Sequence, residues 1–158
     1  MRYCFNSSAI CRYTTSVMSI LIEKAKKHCE NAGARFTPLR EQVYTLLVKA
    51  NAPIGAYDLL DQLKLENDSA KPATVYRSLD FLLDFGLIHK VESTNMFVAC
   101  HHFGCAHPVQ FLICDKCGNV SEIQSTSLHD ALTAQATSQG FIVKQQTIEA
   151  HGVCHKCQ

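Results

Sequence analysis

Residues 70–100 read AKPATVYRSLDFLLDFGLIHKVESTNMFVAC, and they contain the clearest structural signals in the chain. The first half of this stretch predicts a helix over 72–85, because a proline opens it, apolar side chains recur at helical intervals and a glycine follows. Its second half contains two short alternating segments, 87–92 and 95–100, which predict a β-hairpin.

The sequence before this stretch also predicts helices, over 20–33, 37–50 and 56–65. Thr37 is a suitable N-cap for the second of them, and Pro38 then occupies its first helical position. Several helices followed by a two-stranded hairpin are typical of a winged helix-turn-helix, in which the helix 72–85 would enter the major groove of DNA.

The sequence after the hairpin predicts a different arrangement of strands around one helix. A capping box that begins at Ser127 is expected to open this helix, and Gly140 is expected to end it. The predicted elements are strands over 111–114 and 120–124, the helix over 127–139 and a further strand over 141–149. The fold class is therefore α+β.

This pattern divides the chain into three predicted segments. A winged-helix DNA-binding domain is expected over 18–92, and a metal-binding α/β domain over 93–158. The amphipathic pattern begins only near Met18. Residues 1–17 are therefore interpreted as a disordered extension or the product of a wrongly assigned translation start.

Composition excludes several classes of protein. The 158 residues are 47% hydrophobic and 18% charged, which favours a folded core over a disordered chain. No apolar run reaches the roughly 18 residues that a membrane-spanning helix needs. The formal net charge is only +1. Binding to nucleic acid would therefore depend on a few well-placed cations, and tight binding would need two copies of the chain.

The nine cysteines are the strongest signal in the composition. Their odd number and the absence of a secretory pattern predict a cytoplasmic protein with reduced thiols, in which CxxC pairs usually bind metal. Two such pairs are present, and together they predict a tetrahedral four-thiolate zinc site that leaves no position for water. The four residues are Cys114, Cys117, Cys154 and Cys157.

A second group of candidate metal ligands is more dispersed. It mixes imidazole, thiolate and carboxylate groups, a combination that suits a four-coordinate zinc ion. The candidates are His89, Cys100, His101, His102, Cys105, His107 and Glu122. The sequence alone does not decide which of them bind.

Several of these motifs together resemble the ferric uptake regulator (Fur) family. They are Thr37–Arg40, the segment 70–79 and the two CxxC pairs. Four further segments resemble the zinc-sensing branch of that family, the zinc uptake regulators: 56–60, 80–83, 89–95 and 148–152. The resemblance covers about residues 20–158.

The resemblance implies a homodimeric repressor of zinc-uptake genes that binds a pseudo-palindromic operator in double-stranded DNA when zinc is bound. It implies an N-terminal winged helix and makes the C-terminal α/β domain over 93–158 the dimerisation domain. It implies two zinc ions per chain: a structural ion on the four cysteines and a regulatory ion on a second set of ligands. The regulatory ligands that it implies are His89, Cys100, His107 and Glu122. The DNA contacts that it implies are Tyr57, Thr74, Tyr76 and Arg77. His101, His102 and Cys105 remain alternative ligands.

Two other functions remain open at this point. An iron- or peroxide-sensing regulator would use the same fold, although a thiolate such as Cys100 favours zinc. A zinc-buffering protein would use the many histidines and cysteines without binding an operator. An enzyme is not expected, because the sequence contains no HExxH, GxSxG, P-loop or GxGxxG motif.

Overall fold

The computed structural model describes residues 15–50, 52–66, 68–104 and 107–158. The chain forms two compact units, and the boundary between them follows residue 105. We refer to described residues 15–104 as the N-terminal unit and to residues 107–158 as the C-terminal unit. Most of the predicted extension 1–17, including Cys4 and Cys11, lies outside the described residues.

The N-terminal unit contains four helices followed by a two-stranded hairpin. Its first helix begins at Thr15, so residues 15–17, which were predicted to belong to the extension, are helical instead. In none of the helices that the structure describes is there a segment long and apolar enough to cross a membrane. The elements are α1 (Thr15–Asn31), α2 (Pro38–Ala50), α3 (Ala56–Lys64), α4 (Pro72–Asp84), β1 (Ile88–Val91) and β2 (Met96–Ala99).

Apolar side chains spaced at helical intervals form one core between these helices. Helix α4 contributes Val75, Leu79 and Leu82, each at most 1% exposed. Burying a side chain of this size contributes about 1.5–3 kcal/mol. The core therefore fixes which face of α4 points outward. The helix ends at Asp84, and Gly86, two residues further on with a φ of 64°, reverses the chain into β1.

The hairpin is held to the helices by a backbone bridge. β1 and β2 are antiparallel, with His89 opposite Val98. Phe97 of β2 exchanges two backbone hydrogen bonds with Ile54, in the connection between α2 and α3, at 2.9 and 3.0 Å. The second strand therefore belongs to the N-terminal unit. The unit boundary lies after residue 105 rather than between residues 92 and 93, because β2 completes the hairpin instead of opening the next domain.

The C-terminal unit is a three-stranded sheet with one helix. Its central strand pairs antiparallel with the strand that follows it and parallel with the last strand, so the strand order is β4-β3-β5. The elements are β3 (Val109–Cys114), β4 (Val120–Glu122), α5 (Thr126–Ser138) and β5 (Thr147–Gly152).

Two predictions for this unit were wrong in position. The N-cap of α5 is Ser125, whose Oγ accepts from Leu128 N at 3.4 Å, and not Ser127. The fully buried Gln110 fixes this cap, because its side chain bonds both the N–H and the carbonyl of Ser125 at 3.1 and 3.0 Å. The last strand begins at Thr147 instead of residue 141, because its pairing with β3 begins there.

Candidate metal centres and nucleic-acid face

The two CxxC pairs meet at one end of the C-terminal sheet. Cys114 is the last residue of β3, and its parallel register partner is Gly152, the last residue of β5. The turn after each strand supplies the remaining cysteines. The long separation between the two pairs is thus spanned by β4, α5 and β5, which return the chain to the same end of the sheet. The sulfur atoms of Cys114, Cys117, Cys154 and Cys157 lie within 4.8 Å of one another.

The spacing of these sulfur atoms fits zinc. A tetrahedral ion with bonds of about 2.3 Å places neighbouring sulfurs about 3.8 Å apart. The Sγ atoms of Cys117 and Cys154 are 3.8 Å apart. Backbone N–H groups also point at the cluster: Cys154 N donates to Cys114 Sγ at 3.3 Å. The four cysteines thus have the donor type and the separation that a structural zinc ion requires.

Protonation within the cluster is uneven. Backbone N–H donation, foremost from Cys154 and next from Cys117, lowers the pKa of Cys114 to about 6, so this sulfur is a thiolate at neutral pH. Hydrogen bonding to the sulfurs of Cys117 and Cys154 raises the pKa of Cys157 to about 12, so this sulfur keeps its proton. A metal ion bound here would displace that proton.

Side chains from one pair reach across to the other. Lys116 Nζ donates to the carbonyl oxygen of Cys157 at 2.8 Å. The Lys116 ammonium is therefore fixed beside the cluster, where its charge can offset that of thiolates. Asp115 Oδ1 lies 2.9 Å from His151 Nδ1 on β5. The pairing of Asp115 with His151 was not predicted from the sequence, because it depends on the parallel register of β3 and β5.

The N-terminal unit brings together two of the dispersed candidate ligands. His89 lies on β1, and Cys100 follows β2 directly. A ring nitrogen of His89 and Cys100 Sγ lie within 4.8 Å of each other. Cys100 is fully buried, and its backbone N donates to Leu87 O at 2.9 Å. Its Sγ accepts a hydrogen bond from His102 N at 3.4 Å, so the sulfur is held by the backbone of the segment that follows it.

The C-terminal unit brings together a second pair. His107 Nε2 lies 3.3 Å from Glu122 Oε1, and the two side chains are only 13% and 16% exposed. Of the alternative ligands, His101 is exposed, His102 is half-buried, and Cys105 lies outside the described residues. Each unit therefore holds one close pair of metal-binding side chains from the predicted regulatory set.

The residues that the resemblance implied for DNA contact lie on α3 and α4. Tyr57, in the first turn of α3, is 68% exposed, and Tyr76 on α4 is 40% exposed. Arg77 is exposed and Thr74 is half-buried. Lys71, which was not among the predicted DNA contacts, is exposed and occupies the N-cap of α4. Its position directly before Pro72 was the available signal, because helix N-termini favour phosphate.

Comparison with known proteins places this arrangement in a family. The model of the "Ferric uptake regulator family" matches residues 31–151, which is most of the chain. The chain belongs to the ferric uptake regulator family. This confirms the family resemblance and the mixed helix and sheet fold predicted from the sequence.

Other members of the ferric uptake regulator family resemble the chain along nearly its whole length. A zinc uptake regulation protein of Escherichia coli (strain K12) is 44% identical over 138 residues, which are 87% of this chain and 81% of that protein. A solved zinc uptake regulator complexed with zinc and DNA matches with a TM-score of 0.85 and 43% identity, covering 92% of this chain and 96% of that one. The structure of holo XcZur matches with a TM-score of 0.80 and 42% identity, covering 89% and 97%.

Proposed function

We propose that the protein is a zinc-responsive transcriptional repressor of the cytoplasm, which binds operator DNA as a homodimer when its regulatory site is filled and thereby controls zinc-uptake genes. The observation that carries this proposal is the similarity, along nearly the whole chain, to a zinc uptake regulation protein and to a regulator complexed with zinc and DNA. The residues described above supply the chemistry that such a function requires.

The first zinc ion is proposed to be structural. Cys114, Cys117, Cys154 and Cys157 would fill all four positions of a tetrahedral ion and leave none for water, so this site has no means of catalysis. The side chain of Lys116 and the pair formed by Asp115 and His151 hold the two CxxC turns in place around it.

The second zinc ion is proposed to be regulatory, with His89 and Cys100 from the N-terminal unit and His107 and Glu122 from the C-terminal unit as its ligands. One thiolate, one carboxylate and two neutral imidazoles balance the charge of Zn²⁺, so the filled site is neutral and can be half-buried at low cost. The thiolate of Cys100 favours zinc over the harder ions that His and carboxylate sites select.

The N-terminal unit is proposed to act as a winged helix-turn-helix. Helix α4 would be the recognition helix, because its buried stripe turns Tyr76 and Arg77 outward. Arg77 can bind a guanine edge or a phosphate, and Tyr57 can contact a thymine methyl group or a phosphate. Thr74 would lie beside them on the same helix.

The C-terminal unit is proposed to form the homodimer. None of the residues of α5 is fully buried within the chain, and several apolar side chains on this helix and elsewhere in the C-terminal unit are exposed. We propose that a second copy of the chain covers them, because large exposed apolar surface marks interaction sites and homodimers are the commonest oligomers. These residues are Leu112, Leu128, Leu132, Phe141 and Ile142, with exposed fractions between 43% and 81%.

We propose that filling the regulatory site favours one arrangement of the dimer, in which the two α4 helices fit successive major grooves about 34 Å apart. Zinc would then raise the affinity of the dimer for the operator. The test is a mobility-shift titration of the full chain on a zinc-uptake promoter, with buffered zinc and with a chelator. Binding that needs zinc supports the proposal. Equal binding in both conditions, or binding restored by iron and not by zinc, contradicts it.

A further inference from the structure

His28, near the C-terminal end of α1, contacts two segments that come much later in the chain. Its Nε2 lies 3.2 Å from the carbonyl oxygen of Phe85, the C-cap residue of α4. Its ring centroid lies 5.8 Å from that of Phe103, in the segment 101–104 that follows Cys100. One imidazole therefore joins the ends of two helices to the segment beside a candidate zinc ligand, all within the N-terminal unit.

The contacts fix the orientation of this ring. A carbonyl oxygen can only accept, so Nε2 of His28 carries the proton and donates to Phe85 O. Nδ1 then faces the segment 101–104, where a Cβ added at Gly104 would lie 3.7 Å from it. Gly104 has a φ of 89°, a conformation that other residues rarely adopt. The segment thus approaches the ring closely, and Phe103 packs against the hydrophobic core beside it.

Cys100 depends on the same region for its position. Its backbone N donates to the carbonyl oxygen of Leu87, two residues beyond Phe85. Its Sγ accepts from the backbone N of His102, the residue before Phe103. The candidate ligand is therefore supported on one side by the end of α4 and on the other by the segment that His28 contacts.

We propose that His28 and Phe103 form an anchor that positions Cys100 for the regulatory zinc ion and couples it to the end of the proposed recognition helix. In this inference, which rests on the proposed function, His28 is a positioning residue and not a ligand. Groups that orient metal ligands typically contribute 10- to 100-fold to metal affinity. A purely structural role in capping α4 would lower thermal stability without changing zinc affinity.

The test is a competition titration of the full chain against a zinc chelator, which resolves the regulatory ion from the four-cysteine ion and needs no DNA. His28→Ala and Phe103→Leu are expected to weaken the regulatory zinc about 10-fold and to leave the structural zinc bound. With Co²⁺ in the regulatory site, the absorption band of the Cys100 thiolate should shift. Lys27→Ala, on the exposed face of the same helix turn, is the control and should match the wild type.

A second variant keeps the test decisive if His28→Ala does not fold. Gly104→Ala alters the anchor from the side of the segment without removing any core side chain, and it should weaken the regulatory zinc in the same way. If the folded variants bind zinc at the regulatory site with an affinity within twofold of the wild type, the anchor is overturned and the proposed function is unaffected. A wild-type chain that retains only one zinc ion overturns both.

Discussion

His107 Nε2 lies 3.3 Å from Glu122 Oε1, with both side chains largely buried in the C-terminal unit. The two residues come from different parts of the chain, because Glu122 ends β4 whereas His107 precedes β3. A close imidazole and carboxylate are two of the donor types that zinc binds. The pair is therefore the half of the proposed regulatory site that the C-terminal unit contributes.

Removing the carboxylate of this pair should weaken the binding of one of the two zinc ions and leave the other unaffected. In Glu122→Gln, the regulatory zinc should bind at least about 10-fold more weakly, because a neutral amide replaces an anionic ligand. The structural zinc should stay bound, so the zinc content falls from two ions to one per chain at a limiting zinc activity. The measurement is metal analysis after equilibration with a chelator. Glu30→Gln, an exposed position on α1, is the control. Retention of two ions by Glu122→Gln would show that Glu122 is not a ligand.

Breaking the four-cysteine cluster should affect folding rather than regulation. In Cys154→Ser, we expect loss of the structural zinc and of several kcal/mol in the free energy of unfolding, because a structural zinc ion contributes directly to folding. The C-terminal unit should lose its protection first in hydrogen exchange. Ser138→Ala, at an exposed position of the same unit, is the control. A Cys154→Ser variant with wild-type zinc content and stability would contradict the site.

Zinc binding by this cluster should weaken as pH falls. The pKa of Cys157 is raised to about 12, so this sulfur must lose a proton to bind zinc at any physiological pH. The pKa of Cys114 is lowered to about 6, so it binds almost without losing a proton at pH 8 but is mostly protonated below about pH 6. Proton competition therefore increases as pH decreases. Zinc retention against a chelator, measured between pH 8 and 5, should fall and should fall most steeply below pH 6. Retention that is equal at pH 8 and 5 would contradict this assignment.

For metal-free protein, the two shifts act on stability in opposite directions. The lowered pKa of Cys114 stabilises the fold above about pH 9.0, the ordinary pKa of a thiol, and this contribution disappears as pH falls towards 6. The raised pKa of Cys157 stabilises the fold below 9.0, and this contribution disappears as pH rises towards 12. Chemical unfolding of the metal-free chain as a function of pH would measure both.

Arg77 should contribute to DNA affinity without affecting zinc. Its side chain is exposed on α4, and replacing a base-reading arginine costs about 1–3 kcal/mol. We therefore expect Arg77→Ala to weaken operator binding about 5- to 150-fold while both zinc ions remain bound. Lys49→Ala, an exposed cation on α2, is the charge-matched control. If Arg77→Ala and the wild type bind the operator with equal affinity at the same salt concentration, Arg77 does not contribute to the DNA interface.

A charge on the exposed face of α5 should weaken the dimer. Leu128 is 44% exposed on a helix that buries no residue fully within the chain. If a second copy covers it, Leu128→Lys buries a charge and should shift the protein towards monomer in sedimentation equilibrium. Lys144→Ala, an exposed position outside the helix, is the control. An unchanged association constant for Leu128→Lys would exclude this face from the dimer interface.

Local sequence signals predicted the bounds of α2, α3 and α4 to within one residue, whereas α1 begins five residues before its predicted start at residue 20. Pro72 and Gly86 mark the two ends of α4, and the apolar spacing between them identifies its buried face. The four-cysteine cluster was also predictable, because the residue type and the spacing within each CxxC pair specify the chemistry. Contacts between segments that are far apart in the chain could not be predicted from the local sequence. The start of β5 at Thr147 depends on its register with β3, and the N-cap at Ser125 depends on the buried Gln110. No local pattern contains that information.

The most direct test of the account is the operator affinity of the full-length dimer as a function of free zinc, measured with the four-cysteine site kept filled. Tight operator binding is expected only above a threshold zinc activity, and Cys100→Ser should move that threshold upward by at least about 10-fold. Operator binding that stays equally tight after the regulatory zinc is removed, in the wild type and in Cys100→Ser alike, would contradict the account.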